Sequence, residues 1–122
     1  MSYYFTRVTH ATTGVKTRTV GFQPVGARIT IGAKDGATQT WIQKSVGITD
    51  GTNHVCFSEW GDTTSGLKSK KDTTVLASQW DKVAGVWTEV ISATFDSFTA
   101  TEFKYNVTAG SANFTFIVEA WD

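Results

Sequence analysis

The stretch TEFKYNVTAGSANFTFIVEAW, residues 101–121, decides the fold class. Phe103, Tyr105 and Val107 recur at every second position, with Glu102, Lys104 and Asn106 between them. Beyond the turn-forming TAGSAN at 108–113, Phe114, Phe116, Val118 and Ala120 alternate with Thr115, Ile117, Glu119 and Trp121. Successive strand side chains point to opposite faces, so a period of two marks strands with one face in a core. The pattern predicts strands near 100–107 and 113–121.

The same signature extends upstream. Val55 and Phe57 alternate with His54, Cys56 and Ser58, and Thr, Val, Ile and aromatic residues, which suit a pleated surface, dominate throughout. Turn signals fall at ATTG (11–14), KDGA (34–37) and TDGTN (49–53). The remaining strands are expected near 3–9, 15–20, 27–33, 39–47, 53–60, 73–80 and 86–95. Only VLASQWDKVAG could pass for a helix, and it is too short and too β-rich. The expected fold is all-β: a single domain over 1–122, an antiparallel β-sandwich of about eight strands, jelly-roll-like.

Two stretches stand apart. VGFQPVGARITI (20–31) holds the chain's single proline, and Gly21, Phe22 and Pro24 read as a turn feeding a strand. Proline fixes φ and lacks an amide donor, so it belongs at a strand's start. GDTTSGLKSKKD (61–72) reads as a long polar loop, locally basic through Lys68, Lys70 and Lys71.

Composition narrows the function classes. The 122 residues carry 11 Lys plus Arg and 11 Asp plus Glu, a formal net charge of zero. Nucleic-acid binding normally leaves a basic excess, so a nucleic-acid partner is not expected. Cys56 is the single cysteine, which excludes an intrachain disulfide and a thiolate metal cluster; in the alternating HVCFSEW it is expected as a small buried hydrophobe. The N-terminal MSYYFTRVTH lacks a basic segment followed by an apolar run, and no segment approaches ~20 apolar residues. A short, complete chain without signal peptide or membrane insertion is therefore expected.

Catalytic chemistry has little to stand on. His10 and His54 have no catalytic company in sequence, and no nucleophile-elbow, zinc-protease or phosphate-loop motif occurs. Asp35, Asp50 and Asp62 lie in Gly-containing turns, where capping of local amides is the expected duty. Glu59, Asp62, Glu89 and Asp96 could serve as a carboxylate pair only if folding brought two of them together. The expectation is a non-enzymatic protein with no cofactor and no metal. Trp60 precedes the lysine segment and Trp80 precedes Asp81; either could stack on a sugar or close an end of the sandwich.

VGFQPVGARITI, then ATFDSFTATEFKYNV and the closing ANFTFIVEAW, resemble a loose group of small tailed-phage virion proteins. In that group Gly-Phe-x-Pro leads into a strand, an Asp-Gly-Phe turn opens the penultimate strand, and an aromatic strand closes a sandwich. The matching positions are Gly21, Phe22 and Pro24, then Asp96 and Phe98, then Phe114, Phe116 and Ala120, within residues 15–121. Ser97 stands where the group often has Gly, and EAWD replaces a small-residue ending.

The resemblance implies a β-sandwich used on virions, as a head decoration or in a spike or fibre. The leading expectation is a capsid decoration or cement protein on the outer head surface, a homotrimer contacting the major capsid protein or another virion protein. It would be made in the bacterial host cytoplasm and located in the virion. The alternative is a lectin-like receptor-recognition module of a spike or tail fibre, binding a cell-surface glycan through Trp60, Lys68, Lys70 and Lys71. A tail or baseplate component is the third expectation.

Overall fold

The computed structural model describes residues 1–36 and 38–122. Their alternating runs form ten strands: β1 (Tyr3–Val8), β2 (Gly14–Thr19), β3 (Gly26–Ile31), β4 (Ile42–Thr49), β5 (His54–Asp62), β6 (Gly66–Asp72), β7 (Ala77–Val83), β8 (Val86–Phe98), β9 (Glu102–Ala109) and β10 (Phe116–Trp121). They make two antiparallel sheets, one of six strands ordered β1-β10-β3-β4-β5-β6 and one of four ordered β2-β9-β8-β7. The sheets pack as a β-sandwich. β3 to β6 and β7 to β9 run as meanders, so this order does not itself make a jelly roll.

The opening stretch supplies both halves of the core. Its two runs do not pair with each other: β9 lies in the four-stranded sheet and β10 in the six-stranded one. Phe103, Tyr105 and Val107 of β9 face Phe116, Val118 and Ala120 of β10 across a core completed by Ile29, Ile31, Ile91 and Phe114, all fully buried. Burial of each such large side chain contributes roughly 1.5–3 kcal/mol.

Three sequence expectations need correction. The described residues form ten strands where about eight were expected: each of the nine expected ranges holds one, and residues 61–72, expected as a loop, add another. β5 runs to Asp62 and turns back at once into β6, a hairpin closed by glycines at φ 144° (Gly61) and 79° (Gly66). The polarity of β6 misled the reading: it is the sheet's edge and is exposed at every residue from Gly66 to Lys71.

Second, Phe57 lies on the outer face of β5, although the alternation grouped it with Val55 as the apolar side; the burial of Cys56 is as expected of a small buried hydrophobe. Cys56 and Ser58 point inward, while Phe57 points out and is 54% exposed. Here the sheets approach so closely that only small side chains fit. The Ser78 amide donates to Ser45 Oγ at 3.0 Å, and a Cβ on Gly47 would lie 1.8 Å from the Leu76 carbonyl oxygen.

Third, Asp96 and Phe98 are not in a turn. Both lie in β8, where Asp96 is the exposed extra residue of a β-bulge between Phe95, opposite Tyr105, and Ser97, opposite Lys104. The turn itself follows at 99–101. The expected turn at 34–37 includes Ala37, which lies outside the described residues; Asp35 accepts a hydrogen bond from Thr115 Oγ1 at 2.6 Å.

Candidate functional site

The residues nominated by sequence fall at opposite ends of the sandwich. Trp60 lies near the end of β5, and its ring stacks on Trp80 of β7, with centroids 4.5 Å apart and planes 11° from parallel. Trp87 lies at the same end, edge-on to Trp41 at 6.2 Å, its indole NH donating to Ser65 Oγ at 2.9 Å. Tryptophan therefore closes this end of the sandwich.

Strand register divides the lysines. Lys68 lies opposite Trp60 and Lys70 opposite Ser58, so both share the Trp60 side of the sheet. Lys71 lies opposite Phe57, on the other side. Trp60, Lys68 and Lys70 are thus one constellation, and Lys71 is not part of it. Lysines on an edge strand also deter unwanted strand pairing, which gives all three a structural duty.

The acidic candidates do not converge. Glu59 faces outward from the six-stranded sheet, and Asp96 is exposed at the far end of β8. Glu89 accepts from Ser78 Oγ at 2.5 Å. Asp62 closes the β5–β6 turn by accepting from the Ser65 amide and hydroxyl, both at 2.6 Å, and binds Lys82 Nζ at 2.7 Å. The Lys82 ammonium first, then Ser65, holds its carboxyl well below the ordinary range. Asp50 caps the amides of Thr52 and Asn53 and is lowered to about 2 by those bonds, Asn53 first. Both carboxylates serve turns, as expected from their positions.

Each histidine is hydrogen-bonded to one hydroxyl. His54 bonds Thr49 Oγ1 at 2.7 Å and stacks on Phe95. His10 is buried edge-on to Phe116 and Tyr105, with its Nε2 2.6 Å from the Tyr105 hydroxyl. Burial first, then the charges of Arg18 and Lys16, push its imidazole down to about 4.

That burial predicts acid sensitivity. An unfolded histidine titrates near about 6.5. Between there and about 4 the unfolded chain takes up a proton that the folded chain refuses. Stability is therefore full above about pH 6.5 and falls by about 2–3 kcal/mol as pH drops towards 4. Urea midpoints measured across that window check this. His10→Gln should flatten the loss, and an unchanged slope in that variant would contradict the assignment.

The two marker motifs of the resemblance meet in space. Val20 and Gly21 both donate their amides to the Thr101 carbonyl, at 2.9 and 3.1 Å. This ties the Gly21–Pro24 turn to the β8–β9 turn at the end opposite the tryptophans. Pro24 is buried, and Phe22 and Phe98 both pack against the core. These residues build one scaffold corner.

The feature that sequence reading missed is the outer face of the six-stranded sheet. Register aligns Tyr3 with Trp121 and Gly26. A second row is Phe5, Glu119, Arg28, Ile48 and Val55, and a third is Arg7, Ile117, Thr30, Val46, Phe57 and Lys71. Tyr3 (59%), Phe5 (54%) and Phe57 stand exposed, with Ile48 and Val25 beside them.

The middle of this face holds one ion pair. Arg28 grips Glu119 through Nε and Nη2, both at 2.9 Å, and the Tyr3 hydroxyl donates to the same carboxylate. The Arg28 guanidinium holds the Glu119 carboxyl below its usual range. The outer face of the four-stranded sheet is more polar: Thr17, Lys104, Asn106, Thr94 and Ser92 lie on it, with Val15 exposed beside Asn106. Its signal was present in sequence. Ile117 and Trp121 sit on the supposedly polar side of β10, and YYF opens β1, so both faces of these strands are apolar.

No protein-family model, curated protein or solved structure matches this chain.

Proposed function

We propose that this chain is a non-enzymatic structural protein of a tailed-phage virion, a trimeric decoration or cement protein on the outer head surface. The observation that carries the reading is the contrast between the sandwich's two outer faces. One is Thr-, Ser- and Lys-bearing, suited to the medium. The other presents half-exposed aromatics in register, set among Arg7, Arg28, Lys44, Glu59 and Lys71, as anchors with a polar surround suit a permanent contact. The bonds from the Val20 and Gly21 amides to the Thr101 carbonyl join the Gly21–Pro24 turn to the β8–β9 turn at 99–101, while Asp96 and Phe98 lie in β8. The reading needs the sandwich and not jelly-roll strand order.

Copy number on purified particles tests it. Hundreds of copies per head are expected. A few copies at one tip would overturn decoration and favour the spike or fibre reading.

Glycan binding is the second reading, and the Trp60–Trp80 stack with Lys68 across the strand favours it. Flat aromatic surface beside a cationic donor suits a sugar carrying anionic groups. On this reading Trp60→Ala abolishes binding on a glycan array while Lys71→Ala leaves it intact. Binding that survives Trp60→Ala removes this site.

A further inference from the structure

We propose that the free edge of β6 takes up an extended acidic segment of another protein as an added strand. Neither functional reading above requires such a partner.

The backbone comes first. β6 is the last strand of the six-stranded sheet, so at every second residue its amide and carbonyl point away from β5. Natural sheets close such an edge with a proline, a bulge, a very short strand or a covering segment. β6 has none of these. It is seven residues long, contains no proline, and pairs with β5 from Asp72 to Gly66 without a register shift. The opposite sheet does not cover it: β7 packs against β3, β4 and β5, and β6 is exposed from Gly66 to Lys71. β7, the edge of the four-stranded sheet, shows the contrast, since it is buried from Ala77 to Gln79 and bulged between Gln79 and Trp80.

Charge selects the partner. Lys68 and Lys70 lie on one side of β6 and Lys71 on the other, with Lys44 on the outer face of β4. The acids beside them are Glu59, in register with Lys44 and Ser69, and Asp72, 3.6 Å from Lys70. Lysines outnumber acids along this edge, and among the described residues Lys44, Lys68 and Lys71 form no ion pair. A second β6 brought alongside would set lysine against lysine. An acidic strand instead places carboxylates beside ammonium groups on both sides of the ladder, the arrangement that stabilises cross-strand neighbours. The same lysines thus repel the wrong strand and admit the right one.

One apolar contact completes the match. Leu67, 70% exposed, stands on the outer side of β6 in register with Gly61 and, beyond it, Ile42. The glycine leaves a hollow of about 380 Å³ between the two aliphatic side chains, with Trp41 at its edge. In strand addition the backbone supplies affinity and alternate side chains supply specificity. The added strand therefore carries an aliphatic residue opposite Leu67 among its carboxylates.

A labelled ten-residue peptide alternating glutamate and valine is the probe, titrated against the full chain by fluorescence anisotropy. Saturable binding is expected. The triple variant Lys68→Glu/Lys70→Glu/Lys71→Glu should weaken it at least about 30-fold. All three side chains are exposed, so circular dichroism should show a folded chain. The same peptide N-methylated at every amide keeps its charge but has no backbone donors, and should not bind. In the complex, hydrogen exchange followed by NMR should slow at every second amide of β6.

Absence of saturation at millimolar peptide overturns the proposal. So does binding that survives charge reversal or N-methylation, and so does protection that falls away from β6. A sulfated oligosaccharide that binds where the peptide does not also overturns it, and favours the glycan reading.

Discussion

Tyr105→Ala is expected to lower the unfolding free energy by about 5 kcal/mol, the largest loss from any single truncation in this chain. Tyr105 is fully buried, and its ring packs beside Phe103 with centroids 5.1 Å apart. Emptying an aromatic site in a packed core costs about 3–5 kcal/mol. The hydroxyl adds to this, because His10 Nε2 has it as partner at 2.6 Å and a stranded buried nitrogen costs about 1–3 kcal/mol. Against a total of about 5–15 kcal/mol, the variant should be largely unfolded or nearly so. Tyr105→Phe separates the two contributions: it keeps the ring and should lose only about 1–3 kcal/mol. Equilibrium urea unfolding measures both variants. Equal losses in the two would contradict the division between ring and hydroxyl.

Gly47→Ala is the second large effect, expected at about 3 kcal/mol or more. No positive φ is involved, and the obstacle is space. An added Cβ would lie 1.8 Å from the Leu76 carbonyl oxygen and 2.4 Å from its carbon. Backbone, unlike the tip of a flexible side chain, cannot step aside without moving β4 away from β7. Overpacking of this kind costs about 1–3 kcal/mol where side chains can yield, and more where they cannot. The same approach makes Ser45, Cys56 and Ser58 small. Thermal unfolding with Gly47→Ala beside Gly32→Ala provides the contrast, since a Cβ at Gly32 meets nothing within 4 Å. Similar melting temperatures in the two variants would show that the close approach does not constrain the fold.

What the sequence revealed, and what it hid, follows from that packing. The alternation in 101–121 identified Phe103, Tyr105, Val107, Phe114, Phe116, Val118 and Ala120, and every one is buried. There the sheets are separated by full-sized side chains, so hydrophobicity reports burial. In β5 the rule inverts, because close sheets bury Cys56 and Ser58 and turn Phe57 outward. β6 escaped notice because its uncovered residues carry no apolar period. The expected Asp96 turn moved because a bulge, which adds one residue to one strand, leaves no mark in a period-two pattern.

The candidate site was legible only in part. Trp60 with Lys68 and Lys70 stands as one constellation, but strand parity puts Lys71 on the opposite side. The apolar outer face required knowing which strands are neighbours. Tyr3, Glu119, Arg28 and Phe57 are scattered from residue 3 to residue 119, and only register brings them into adjoining rows.

The most direct test is a cryo-electron microscopy reconstruction of phage particles purified from cells in which this chain is produced during infection. The account predicts sandwich density at many equivalent positions on the outer head, with Tyr3, Phe5 and Phe57 covered and the Thr17–Lys104–Asn106 face turned to the medium. A particle lacking the chain, or one in which the aromatic face of the six-stranded sheet stands open to solvent, would contradict it.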